Sequence, residues 1–105
     1  MTTPTNDMEV VDVPAESRFV IRGPDGEAEL LYHLNGKRFV LVHTEVPESW
    51  SGRGIGGRLV RAALARARAE HLTVVPWCPY ARHWLKEHPD EAGGVDVDFQ
   101  TLPPD

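Results

Sequence analysis

The stretch SGRGIGGRLVRAALARARAEHLTVVP, residues Ser51–Pro76, joins a glycine-rich loop to a helical pattern and a β-branched run. Apolar residues recur in it every three or four positions, which predicts an amphipathic helix over 55–71. The run Leu72–Pro76 predicts a strand. A helix that connects two strands over more than about twenty residues is long enough for a parallel crossover, so we expect the strands on either side of it to be parallel.

Three short segments before this stretch have the alternation and turn chemistry of antiparallel strands. Pro-Asp-Gly at 24–26 separates the first two, and Asn35-Gly36 is a strong hairpin signal between the second and third. In the third strand Phe39 and Leu41 face one way and Val40 and Val42 the other, which predicts a central strand covered on both faces. The predicted strands are Arg18–Arg22, Ala28–Leu34 and Lys37–Val46.

The residues after Pro76 predict a second helix, Tyr80–His88, that stops at Pro89. VDVDF, residues Val95–Phe99, is either a last edge strand or part of a tail. We expect a flexible tail over 1–8, a single domain over 9–92, and a C-terminal tail or edge strand over 93–105. The fold class is α/β (α+β), with a three-stranded antiparallel meander followed by helix-strand-helix on a mixed sheet.

Composition restricts the function classes. The chain has 105 residues and a formal charge of −5, which argues against a free-standing nucleic-acid binder. No apolar run approaches the roughly 20 residues that cross a bilayer, and the first residues lack the pattern of a signal peptide. A single cysteine, Cys78, excludes an internal disulfide and suggests a reducing compartment, so we predict a cytoplasmic protein without a membrane partner.

The glycine loop predicts a site for an anion. Glycines let a backbone approach a ligand closely, and the free N–H groups at a helix start attract negative charge. Arg53 and Arg58 flank that start, where a cation is unfavourable unless an anion is bound. They belong to a run of arginines without an acid, residues 53–68. The alternative is that these arginines are helix formers that point into solvent. Gly52, Gly54 and Gly57 match G-x-G-x-x-G, but two hairpins precede the loop and no acid follows near residue 75, so a dinucleotide fold is not indicated.

The segment HTEVPESWSGRGIGGRLVRAALARARAEHLTVVPWCPYARHWLKEHP, His43–Pro89, resembles the small single-domain type of the GNAT superfamily of N-acetyltransferases. The resemblance implies that the loop wraps the pyrophosphate of acetyl-CoA and that the preceding strand offers backbone, including that of Glu45, to the pantetheine arm. The cofactor-binding residues that it implies are Thr44, Val46, Ser51, Gly52, Arg53, Gly54, Ile55, Gly56, Gly57 and Arg58.

This sequence departs from the superfamily pattern at two places. Ser51 stands where glutamine or arginine is usual, which weakens one pyrophosphate contact unless Arg53 or Arg58 replaces it. The common Asn-x-x-Ala-x-x-x-Tyr becomes Cys78, Ala81 and Leu85, so the tyrosine that reprotonates the thiolate of CoA is absent.

Acetyl transfer to an amine needs a base, donors for an oxyanion and an acid for the leaving thiolate. Glu45 is the candidate base and is expected to share a strand face with His43; the alternatives are an exposed glutamate and a core histidine on the Phe39 and Leu41 face. Cys78 lies where the second helix starts, and a helix N-terminus favours a thiolate. It either carries the acetyl group, acts as the missing acid or is a buried structural thiol. Tyr80 is the other candidate acid.

These features predict an acetyl-CoA-binding N-acetyltransferase that acts on an unidentified amine. The alternatives are a non-catalytic acyl-CoA-binding module and a redox-sensing thiol protein. The histidines are scattered and no metal site is predicted. Since little chain follows the second helix, the acceptor site is either open or completed by a partner protein or a second copy in a homodimer.

Overall fold

A computed structural model describes residues 9–104, so the predicted tail over 1–8 lies outside the described part. The strands are β1 (Val10–Val13), β2 (Arg18–Gly23), β3 (Gly26–Asn35), β4 (Arg38–Glu45), β5 (Thr73–Pro76) and β6 (Asp96–Val97). The helices are α1 (Ile55–Glu70) and α2 (Pro79–Glu87), and single 3₁₀ turns form at Pro14–Glu16, Glu48–Trp50 and Pro89–Ala92.

The described strands form one mixed sheet in chain order. β1 to β4 pair antiparallel, whereas β5 pairs parallel with β4 and β6 parallel with β5. The predicted fold class and the parallel crossover through α1 are therefore confirmed. The meander has four strands instead of the three expected, because β1 precedes them. Among the described residues, no helix is both long and apolar enough to cross a membrane.

α1 covers one face of the sheet with the apolar stripe expected from its sequence. The stripe packs with Phe19, Leu30, Phe39 and Leu41 in one buried cluster. α2 adds Ala81, Trp84 and Leu85 to the same cluster. Gly57 is needed where the helices meet, because a Cβ built there would lie 2.7 Å from Trp84 Nε1. The contact between Gly57 and Trp84 therefore packs the first turn of α1 directly on α2. The two helices lie next to the region between β4 and β5.

A bulge in β4 changes which side chains face the helices. Tyr32 pairs with Leu41 and Leu30 pairs with Thr44, so Val42 is an extra residue without a partner in β3. Beyond Val42 the alternation is reversed, and Thr44 takes the helix-covered face. His43 and Glu45 take the opposite face, which we call the back face. The expected placement of His43 with Phe39 and Leu41 is therefore wrong, and so is the expected cover of Val42, which is 42% exposed.

The arginine run is not a free basic face. Arg61 pairs with Glu91, and Arg68 donates to the backbone carbonyls of Glu91 and Gly93. Arg66 is largely buried between Asp12 and Glu70. Apart from Glu70, which is one helical turn beyond Arg66, these partners are 23 or more positions away in the sequence, which is why residues 53–68 looked uncompensated.

Candidate active site

A cleft of about 370 Å³ opens between the end of β4, the glycine loop and the start of α2. It brings together the predicted residues Thr44, Val46, Ser51, Gly52, Gly54, Ile55, Gly56 and Tyr80. Pro47, Glu48 and Trp50 line it as well and were not predicted. Trp50 is buried and its indole Nε1 donates to Asp25 Oδ1 at 3.1 Å. The one sequence signal for the role of Trp50 was the presence of a tryptophan within an otherwise polar loop.

Two glycines of the loop have backbone conformations that L-residues rarely adopt. Gly52 has φ +84° and Gly54 has φ +71°, and a Cβ at either position would meet no atom within 4 Å. Glycine is therefore required there for conformation and not for space. Gly54 is the N-cap of α1 and provides no side chain to cap it. The first N–H groups of α1 are thus available to a ligand at the cleft.

Gly56 is required for space. A Cβ built on it would lie 2.6 Å from the hydroxyl oxygen of Tyr80 and equally close to its ring. The phenol ring therefore packs directly on the first turn of α1, with its hydroxyl beside the cleft. Burial raises the pKa of Tyr80 above its usual value, and the nearby Cys78 adds to this, while Arg61 opposes it. The shift extends the pH range over which the phenol keeps its proton and makes it a weaker acid than an exposed tyrosine.

β4 and β5 separate next to the cleft. Their pairing ends at Leu41 and Pro76, and the carbonyl oxygen of Leu41 accepts hydrogen bonds from the N–H groups of both Trp77 and Cys78, at 3.0 and 2.9 Å. β4 continues to Glu45, whereas the chain after Cys78 turns into α2. The backbone of β4 beyond Leu41 is thus without a β5 partner in the described structure.

Cys78 lies beneath the cleft and not in its lining. The residue is 2% exposed, and its Sγ is 3.3 Å from Thr44 Oγ1. It is the N-cap residue of α2, in agreement with its expected place at the start of the helix, but its side chain does not cap the helix. Thr44 does line the cleft, so Cys78 supports a wall residue from behind.

Glu45 and His43 lie on the back face, away from the glycine loop. His43 Nε2 is 3.5 Å from Glu45 Oε1, and both side chains are exposed. Glu45 lines a second cavity of about 440 Å³ together with Glu27, Glu29 and Glu48. Val46, Pro47 and Glu48 line both cavities, so the two spaces meet where β4 ends. The candidate base and the candidate acids therefore approach this end of β4 from opposite faces.

Three of the predicted cofactor-binding residues do not line the cleft: Arg53, Gly57 and Arg58. Arg53 is exposed and makes no ion pair with any residue in 9–104. No three His, Cys, Asp or Glu side chains within that range could together hold a metal ion.

Comparisons with known proteins agree with this architecture. A family model described as GCN5-related N-acetyl-transferase matches residues 18–93. Protein NATD1 of Gallus gallus is 43% identical over 75 residues, which are 69% of this chain and 68% of that protein. Protein NATD1 of Homo sapiens is 43% identical over 75 residues, which are 69% of this chain and 66% of that protein.

The fold is also that of a solved structure. The NMR solution structure of a GCN5-like protein from Staphylococcus aureus superposes with a TM-score of 0.70 over 91% of this chain and 96% of that chain, at 22% identity. The family model covers most of the chain, and the NATD1 matches span about two thirds of the length of those relatives. The chain therefore belongs to the GCN5-related N-acetyltransferase family, whose chemistry is acyl transfer.

Proposed function

We propose that the chain binds acetyl-CoA in the cleft beside the glycine loop and transfers the acetyl group to an amine. The observation that carries the proposal is the junction of Gly52, Gly54 and Gly56 with α1. Two of these glycines have positive φ, the third lies under Tyr80, and the helix N-terminus that they open has no side-chain cap. This arrangement suits a pyrophosphate, because N–H groups and the helix dipole both favour an anion there.

The rest of the cleft suits the remainder of the same ligand. Thr44 and Val46 line it along β4, where the strand has no β5 partner, so its backbone groups can bond to an extended amide chain such as pantetheine. Arg53 is exposed and makes no ion pair in the described structure. It lies between Gly52 and Gly54 in the glycine loop, so its side chain would pair with the phosphates of the ligand. Acetyl-CoA would supply an activated thioester, and the protein residues would supply proton transfer and orientation.

The proton-transfer roles follow from the two faces of β4. Glu45, next to His43, would accept the proton of the acceptor amine on the back face. Tyr80 would donate a proton to the leaving thiolate, since it lines the cleft and its phenol carries a proton at neutral pH. Cys78 is too buried to carry the acetyl group without movement of Thr44, and we propose that it supports the wall of the cleft.

Isothermal calorimetry tests the loop assignment. Gly54→Val should abolish binding of acetyl-CoA and CoA, because valine at φ +71° displaces the loop backbone. Gly36→Val is the matched control. Gly36 also has positive φ and open space around it, but it lies in the β3–β4 hairpin and does not line the cleft. We expect the control to bind acetyl-CoA like the wild type at a temperature where both variants are folded.

The calorimetry separates the readings. Failure of the wild type to bind acetyl-CoA at high micromolar concentration would overturn the proposal, and equal binding by Gly54→Val would overturn the loop assignment. Binding without transfer to any of a panel of amines would indicate the non-catalytic acyl-CoA module. A redox-sensing role is disfavoured because Cys78 is buried, and sensor thiols are accessible.

A further inference from the structure

Arg18 is the centre of an ion-pair cluster on the back face. Its Nε is 2.7 Å from Glu16 Oε1, and its Nη1 is 3.0 Å from Glu27 Oε2 and 2.8 Å from Glu29 Oε1. Only 17% of its side chain is exposed. Hydrogen bonding to Arg18 lowers the pKa of Glu27, and the three carboxylates raise the pKa of Arg18. The cluster is therefore a fixed set of charges and not a loose surface pair.

One member of this cluster, Glu29, lies next to the candidate base, Glu45. Glu29 is the direct cross-strand partner of Glu45, and both line the second cavity. Directly opposed side chains of an antiparallel pair have Cβ atoms about 5 Å apart, so two carboxylates there repel each other. Within residues 9–104, Arg18 is the cation that contacts Glu29.

The other charged groups around Glu45 do not replace Arg18 as the cation that pairs with Glu29. His43 is beside it on β4, Glu48 follows in the 3₁₀ turn, and Glu27 and Glu29 face it from β3. On β2, Arg22 reaches Glu27 at 3.4 Å, but it has no ion pair with Glu29. Loss of Arg18 would therefore leave Glu29 uncompensated directly opposite Glu45.

We propose that Arg18 is a positioning residue for acetyl transfer, which neutralises Glu29 and so reduces the repulsion that Glu29 exerts on the directly opposed Glu45. The inference rests on the proposed function, in which Glu45 is the base. In that step the ammonium N–H bond of the acceptor breaks, an O–H bond forms on Glu45, and the lone pair left on nitrogen is free to attack. Arg18 touches neither substrate and acts through Glu29.

The pH dependence of kcat/KM tests the proposal. In Arg18→Met, the acidic limb should move to higher pH by about 0.5 unit at low ionic strength, which is roughly a threefold loss of rate on that limb. Salt at about 0.5 M should reduce the displacement. Arg22→Met is the matched control, since it removes a cation of the same strand and face whose one ion pair within residues 9–104 is with Glu27, and we expect a smaller displacement.

Two further variants keep the test independent of folding defects. Glu29→Gln should move the acidic limb to lower pH, and Arg18→Met with Glu29→Gln should return it close to the wild-type position. A purely structural role for Arg18 would lower the rate at all pH values, and the double variant would not restore it. An unchanged limb in Arg18→Met and in Glu29→Gln overturns the proposal.

Carbon-13 NMR titration of the Glu45 carboxyl gives a readout without activity. We expect its midpoint to move upward in Arg18→Met and back in the double variant. A wild type that lacks acetyl transfer would overturn the proposed function, whereas the electrostatic inference would be overturned by a Glu45 titration that is the same in all variants.

Discussion

Tyr80 occupies the space that any side chain at position 56 would need. Its ring packs on Gly56, 42% of the residue is exposed, and it lines the cleft. Cys78, two residues earlier, is 2% exposed and contacts the cleft only through Thr44. The common superfamily tyrosine position is Leu85, which is buried in the core. At the residue scale, Tyr80 is therefore better placed than Cys78 to exchange a proton with a bound ligand.

Substitution of the two residues separates their roles. Tyr80→Phe should lower kcat by about 100-fold or more, the usual contribution of a positioned acid. Cys78→Ala is the control and should keep kcat within a few-fold of the wild type, because Thr44 stays in the cleft wall. Steady-state kinetics with acetyl-CoA measure both. A large loss of kcat in Cys78→Ala, or a covalent acetyl adduct on Cys78 by mass spectrometry, would contradict this assignment.

β1 is held by a side-chain network that its own sequence does not reveal. Tyr32 donates to Asp12 Oδ1 at 2.6 Å and accepts from Arg66 Nη1 at 2.8 Å, and Arg66 also contacts Asp12 at 3.0 Å. The guanidinium of Arg66 lies over the rings of Tyr32 and Phe39. At the element scale, the network ties β1 to β3 and α1.

Removal of the Tyr32 hydroxyl should weaken this attachment. Tyr32→Phe loses two hydrogen bonds, and we expect the free energy of unfolding at neutral pH to fall by about 1–2 kcal/mol. Urea denaturation measures the change. Retention of full stability would contradict this prediction and would show that the Asp12–Arg66 pair is sufficient to hold β1 in place.

Tyr32 should also make the stability of the folded protein fall at alkaline pH. Burial, with the neighbouring Asp12, raises the pKa of Tyr32 to about 12 from an ordinary value near 10. The neutral phenol is therefore favoured in the folded protein, and its contribution to stability is complete below pH 10 and is lost as pH rises towards 12. The Tyr32→Phe protein should lose less stability over that range, as measured by thermal unfolding.

At the scale of the whole molecule, Asp98 closes the C-terminal segment onto the sheet. It accepts hydrogen bonds from Arg38 of β4 and from the backbone N–H groups of Gln100 and Thr101. Trp77 Nε1 also donates to the carbonyl oxygen of Thr101 at 3.1 Å. Part of the predicted 93–105 segment thus forms the edge strand β6, and the residues after it are fastened to the central strands.

These contacts make stability depend on pH in acid. The hydrogen bond from Arg38, and then those from Thr101 and Gln100, hold the pKa of Asp98 well below its usual range. Its stabilising contribution is present above about pH 4 and is lost as pH falls further. Asp98→Asn should therefore have a lower Tm at pH 7 and a flatter fall in Tm between pH 4 and 2. Asp96→Asn removes a carboxylate that has no side-chain hydrogen bond or ion pair with residues 9–104, and we expect it to keep the wild-type profile.

Sequence patterns predicted the elements that are specified by residues close to one another in the chain. The stripe of α1, the β3–β4 hairpin and the glycine loop each depend on residues within a few positions, and all three form. The hairpin turns one residue later than expected: Asn35 pairs with Arg38, so Gly36 and Lys37 are the central residues of the turn. β1 was missed because Val10, Val11 and Val13 surround an aspartate whose partners, Tyr32 and Arg66, are 20 and 54 positions away. The residues Pro47, Glu48 and Trp50 were missed because their loop has no periodicity, and its one signal, a tryptophan among polar residues, does not show what the side chain contacts.

Periodicity and backbone conformational preference act locally, so the mixed fold, the crossover through α1 and the position of the glycine loop could all be predicted from the order of residues. The face that each candidate residue of β4 takes depends instead on how β4 pairs with β3. One extra residue, Val42, reverses the strand's alternation, so Thr44 faces the cleft while His43 and Glu45 take the back face, where Glu45 lies opposite Glu29 of β3. A bulge is a property of the register between two strands, and no periodicity within one strand reveals it.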